Sequence, residues 1–153
     1  MDHTEGFQIL GMLRNVEVYV LRSFSRSFKK RVASFSNVKL REISRTEEFS
    51  DGILTTGEVG LFIKEQSLIV KKEKGAIVIT GCSHLGLDKI LRIASRFGRI
   101  HGVIGGFHSF NKLEILRDIA LIVPCHCTMR KREILMLYPN SSVGCSAGFR
   151  VEI

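Results

Sequence analysis

Residues 75–84 read GAIVITGCSH. A glycine opens the stretch, Ala76-Ile77-Val78-Ile79 follow as an unbroken apolar run, and Thr80-Gly81-Cys82-Ser83-His84 leave it. The run is too short for a helix and rich in β-branched residues, so it predicts a strand buried on both faces. Strands of this kind belong to layered α/β structures, where the loop leaving the C-terminal end of a strand is a rigidly held place for chemistry. That loop carries a thiol and an imidazole. With the backbone extended past Gly81, Cys82 and His84 project to the same side.

Working outward, the chain alternates. Downstream, Leu87, Ile90, Leu91, Ala94 and Phe97 mark one face of a helix over 86–97, stopped by Gly98. A strand over 101–108 ends in Gly105-Gly106-Phe107-His108, a helix spans 111–119, and a strand over 121–128 contains Pro124-Cys125-His126-Cys127. A helix over 129–137 is broken by Pro139-Asn140, and 149–153 closes the chain as a strand. Upstream, 4–13 has helical spacing with Thr4 as N-cap, 16–21 alternates as a strand, 25–35 is a basic amphipathic helix, and 38–43 is a strand. Residues 50–72 read as hairpins, with strands over 52–57, 59–63 and 67–72. The fold class expected is α/β (α+β), a mixed sheet covered by helices in a single domain over 1–153.

Three successive strands thus end in a histidine, in GCSH, GGFH and PCHC. One such residue is usually structural. Three at the same end of a sheet make a metal-site pattern. His84 and His126 are the candidate ligands, while His108, beside two glycines that let a backbone come close, is a candidate for touching substrate. His101 begins its strand at the opposite end and reads as a surface residue. Cys125 and Cys127 face away from His126 in an extended chain and read as small packing residues. Cys82 is either a thiolate ligand or a packing residue.

Composition narrows the classes. The 153 residues carry a net charge of +8 and only four cysteines, too few for a disulfide scaffold. No apolar run approaches the roughly 18 residues that suggest a membrane span, and the polar opening lacks a signal pattern, so a cytoplasmic protein is expected. The positive charge favours phosphate-bearing ligands. Its basic clusters, at 22–31 and 130–132, read more readily as solvated helix faces than as a polyanion groove, which argues against nucleic acid.

ITGCSHLGLDKIL (79–91), GVIGGFHSF (102–110), LIVPCHCT (121–128) and GCSAGFRVEI (144–153), in that order, resemble the metallo-β-lactamase superfamily. Within it they resemble the group of dihydropterin-ribofuranosyl-aminobenzene-phosphate synthases, as do Ile43-Ser44-Arg45-Thr46 and residues 53–58. The resemblance implies the C-terminal portion of an αββα sandwich. Asp2 and His3 match the last pair of the superfamily's HxHxDH signature. The two leading histidines and the N-terminal β-layer are missing, so a truncated relative or an internal start is expected. The resemblance implies Asp2, His3, His84 and His126 as metal ligands, with Asp2 and His108 as catalytic residues. Cys82 stands where many members carry an aspartate, with His84 as a substitute. The implied cofactor is a divalent metal, zinc first with iron or manganese as alternatives, two per complete site. The implied activity is a metal-dependent hydrolase or synthase acting on a phosphorylated, pterin-like metabolite. The competing expectations are a catalytically incompetent half-fold that binds or oligomerises, with homodimerisation covering its open sheet face, and a nucleic-acid phosphodiesterase.

Overall fold

The computed structural model describes residues 5–153; Asp2 and His3 lie outside them. Two sheets carry the chain. A small one pairs β1 (Val16–Leu21) with β2 (Val38–Ile43) in parallel, joined by α1 (Arg26–Ala33). A six-stranded sheet runs β3 (Glu47–Ser50), β4 (Ile53–Thr55), β5 (Ser67–Lys72), β6 (Gly75–Thr80), β7 (Ile100–Gly105) and β8 (Leu121–Pro124), each strand beside the next in sequence. The pairings from β3 to β6 are antiparallel and those from β6 to β8 parallel. The first set needs only short turns; the second needs crossovers, made by α2 (Leu87–Ala94) and by a 3-10 turn at Leu113–Leu116. The mixed α/β architecture is as the sequence predicts.

Burial follows the strand period. Ala76 and Val78 of β6, Val103 of β7 and Ile122 of β8 point to the face covered by Leu87, Ile90, Leu91 and Ala94 of α2 and by Ile134 of α3 (Lys131–Leu137). Ile77 and Val123, one residue out of phase, are fully buried on the other face. The buried apolar stripe of α2 is that expected of an amphipathic helix lying on a sheet. A second cluster sits between the small sheet and α1, where Val20 meets Phe28 and Val32 with Phe7 and Leu10 of a 3-10 helix at Glu5–Met12. The Ser25 hydroxyl caps α1 by accepting from Phe28 N–H. The two sheets are tied where the Tyr19 ring stacks on Phe49 at 4.7 Å and Glu58 accepts from Ser23 N–H.

Several elements differ from expectation. Residues 59–63 form no strand: a single bridge joins Val59 to Glu65, leaving Leu61 and Phe62 in solvent. The helix expected over 111–119 shrinks to its 3-10 turn, because Leu113, Leu116 and Ile119 already bury themselves without a full helical face. Residues 149–153 are irregular, and the segment that does join the sheet is Ser142, bridged to Ile122 at the free edge of β8. Strand β3 was not foreseen, since three of its four residues are polar. Among the described residues, no helix is long and apolar enough to cross a membrane.

Candidate metal centre

The parallel order β6, β7, β8 puts the exits of three strands side by side, so Gly81-Cys82-Ser83-His84, Gly106-Phe107-His108 and Cys125-His126-Cys127 form one rim. Two glycines allow the approach. Gly105 has φ 132°, and a Cβ on it would strike the Thr80 carbonyl and hydroxyl. A Cβ on Gly106 would overlap Cys127 Sγ and the Gly81 carbonyl oxygen. Gly106 N–H instead donates to Gly81 O at 2.9 Å, and Cys125 N–H donates to Gly105 O at 2.7 Å.

Buried hydroxyls lock the loops to one another. Thr80 and Ser83 both donate to Gly106 O, at 3.1 and 2.8 Å, and Thr128 Oγ1 accepts from Phe107 N–H at 3.1 Å. All three are nearly excluded from solvent, where an unpaired backbone group is costly. Sequence reasoning picks out Thr128, with Pro124, as part of a rigid strand exit and passes over Thr80 and Ser83. Their signal was the hydroxyl residue within each motif, Thr-Gly-Cys-Ser and Cys-His-Cys-Thr.

Within this frame Cys82 Sγ lies 3.6 Å from His126 Nε2, and Cys127 Sγ completes a group whose donor atoms are all within 4.8 Å of one another. Two readings change here. Cys127 does not face away from His126 as a packing residue, because β8 ends at Pro124 and the chain turns, Thr128 N–H donating to Cys125 O. The extended path expected from Cys82 to His84 is broken, because Ser83 between them adopts φ 60°.

His84 joins a second group. Its Nδ1 lies 3.4 Å from Glu65 Oε2, and its ring sits 4.7 Å from that of His108, tilted by 49°. Glu65 also accepts from Leu85 N–H through Oε1 at 2.9 Å. His108 holds φ 43°, and its carbonyl accepts from Met129 N–H. The structure thus groups His84 with His108 and with Glu65, which is not among the residues expected at the site. Both groups border a cavity of about 750 Å³ whose wall includes Phe7, Leu10, Phe28, Glu65, Cys82 and His84. Cys125, outside the donor group, has its thiol pushed up to about 11 by burial and by its hydrogen bond to Cys145.

The Cys82–His126 pair has the spacing of two ligands on one metal ion. Bond lengths of about 2.3 Å to sulfur and 2.0 Å to nitrogen place two ligands of a tetrahedral zinc about 3.5 Å apart. The observed Cys82–His126 separation of 3.6 Å fits. Two thiols and an imidazole are also soft enough to select zinc or iron over manganese.

No protein-family model matches the chain. Over 61 residues, 34% of this chain, it is 39% identical to the uncharacterized protein MJ0448 of Methanocaldococcus jannaschii. Over 86 residues, 48% of the chain, it is 29% identical to a 7,8-dihydropterin-6-methyl-4-(beta-D-ribofuranosyl)-aminobenzene-5'-phosphate synthase of the same organism. The matches span 24% and 29% of those two relatives, less than a third of their length. In structure the chain is similar to the crystal structure of Tm1679, a metal-dependent hydrolase of the beta-lactamase superfamily. The TM-score is 0.73 with 24% identity, covering 94% of this chain and 73% of that one.

Proposed function

We propose that this chain, whose fold is that of the metallo-β-lactamase superfamily, works as a metal-dependent hydrolase or synthase on a phosphorylated, pterin-like small metabolite. The observation that carries the reading is the Cys82–His126–Cys127 donor group at the common exit of three parallel strands. These residues would hold the metal, joined by Asp2 and His3, which the sequence resemblance offers from outside the described residues. When bound, such a metal supplies Lewis acidity toward a phosphoryl or ring oxygen and acidifies a water.

The remaining roles fall to the chain itself. His84 and His108 stand together at the rim, where two imidazoles orient an anionic group by donating hydrogen bonds. Glu65 beside His84 Nδ1 holds that ring in place. The apolar wall formed by Phe7, Leu10 and Phe28 suits a flat ring body and keeps water away from it. The pterin-like substrate is supported by the likeness to the synthase and by the +8 net charge, which attracts phosphate.

Metal content and ligand binding of the purified chain test this together. Zinc retained by the wild type and lost in His126→Ala, with a phosphorylated pterin protecting His84 and His108 from imidazole-directed modification, is the expected result. A folded wild-type chain that takes up no zinc, iron or manganese overturns it.

A further inference from the structure

The connection from β4 to β5 joins a fixed root to a bare tip. At the root, Val59 and Glu65 exchange both backbone hydrogen bonds, at 2.9 and 3.0 Å. Gly60 holds φ 103°, and a Cβ on it would strike the Ile63 carbonyl oxygen, so the chain reverses tightly there. The tip is apolar and in solvent. Phe62 is 100% exposed, Leu61 84% and Ile63 56%, a contiguous patch of the kind that marks a binding surface. Ile63 also lines the large cavity, as do Lys64, Glu65 and Gln66, so the tip stands at the cavity's mouth. Glu65 is committed to His84 and the Leu85 N–H, and Gln66 accepts from the Thr55 hydroxyl at 2.8 Å. Lys64 is not committed. Among the described residues that line the cavity it is the only lysine or arginine, it is exposed, and it makes no hydrogen bond or ion pair.

We propose that residues 61–64 are the specificity loop of the cavity: Lys64 binds the ligand's phosphate, and Leu61 and Phe62 fold over its ring. The inference rests on the function proposed for the site, a phosphorylated, pterin-like metabolite as ligand. The long stem of Lys64 lets its ammonium reach a phosphate that His84 and His108 also face. A single cation in a mostly apolar wall fixes which end of the ligand points toward it. The ring then lies against Phe7, Leu10 and Phe28, which leaves its outer face bare. Leu61 and Phe62, next in the chain to the Ile63 wall, cover that face and lose their own exposed area in doing so. The loop thus discriminates twice. A pterin without phosphate loses the Lys64 contact, and a phosphate without a ring loses the apolar cover.

The experiment is fluorescence titration of the full chain, with zinc present, by neopterin and by its monophosphate, which differ only in the phosphate. Lys64→Gln should weaken the monophosphate about fivefold and leave neopterin unchanged, and Lys64→Arg should restore the difference. Leu61→Ser combined with Phe62→Ser should weaken both probes alike, by roughly tenfold. Every replaced side chain is exposed, so the fold should stand, and circular dichroism checks it. Three results overturn the loop assignment alone: Lys64→Gln treating the two probes alike, unchanged affinity in the double variant, or sedimentation showing a wild-type dimer that the double variant splits. All three leave pterin and zinc binding by the wild type in place. A wild type that holds zinc but binds neither probe overturns the loop assignment and the pterin-like substrate together.

Discussion

Cys82 and His126 stand 44 residues apart in the chain and 3.6 Å apart in space, sulfur to Nε2. Nothing local enforces this contact; it exists because β6 and β8 both flank β7 in parallel. If the contact is a ligand pair, Cys82→Ser and His126→Ala should each lower zinc affinity by at least tenfold. In the wild type, zinc at a hundred times its dissociation constant should stabilise the fold by about 2.7 kcal/mol, raising the melting temperature. Calorimetry with and without chelator measures this, and equal melting curves would reject the site.

Gly106→Ala should be disproportionately damaging. The new Cβ meets backbone at Gly81 as well as Cys127 Sγ, and backbone yields less than a side-chain tip. A loss of about 1–3 kcal/mol is expected from overpacking. Zinc binding should weaken beyond what the loss of stability explains. Urea denaturation and a zinc titration separate the two effects.

Phe107→Ala tests the anchor beneath the rim. Phe107 is fully buried in the main core while its neighbours Gly106 and His108 face the site. Truncation should cost about 3–5 kcal/mol. A value near zero would mean that the loop after β7 is not held by this ring.

Glu17 provides a pH signature remote from the site. The hydrogen bond from Lys39 lowers its pKa from the usual 4.5 to about 2, helped by Tyr19 and Arg41. The Lys39 and Arg41 contacts, at 2.8 and 3.2 Å, pair β1 to β2. A depressed carboxylate stabilises the folded chain fully above its unfolded pKa, and that contribution disappears as the pH falls from 4.5 through 2. Carboxyl NMR should show Glu17 titrating near the lower end in wild type and moving upward in Lys39→Ala. An unchanged midpoint in the variant would remove the ion pair from the account.

The sequence made the parallel half legible because its strands announce themselves twice, by apolar runs and by the histidine-bearing exits after them. GAIVIT, IHGVIG and LIVP all became strands, and the stripe through Leu87, Ile90, Leu91 and Ala94 became α2. Cys127 departs from its expected packing role because β8 stops at Pro124: across the expected 121–128 strand, four extra extended residues send it the wrong way. Glu65 is visible upstream of the histidine motifs, in Glu65-Gln66, but nothing singles it out as a site residue. It acts from the far side of the β4–β5 connection, and no spacing within 50–72 reveals that it will meet His84. Asp2 and His3, central to the resemblance, lie outside the described residues.

The change from antiparallel to parallel pairing at β6 also has a meaning in time. Strands β3 to β6 meet neighbours close in sequence and can zip by short closures, whereas β6, β7 and β8 meet only after two crossovers have been ordered. Short-spaced metal motifs can nucleate their own folding around an ion. Here Cys82 is 45 residues from Cys127, and the donors have no common address until the last long-range register is in place. An ion would therefore arrive at a finished socket, and a newly made chain would have to complete its slowest contacts before it could compete for metal.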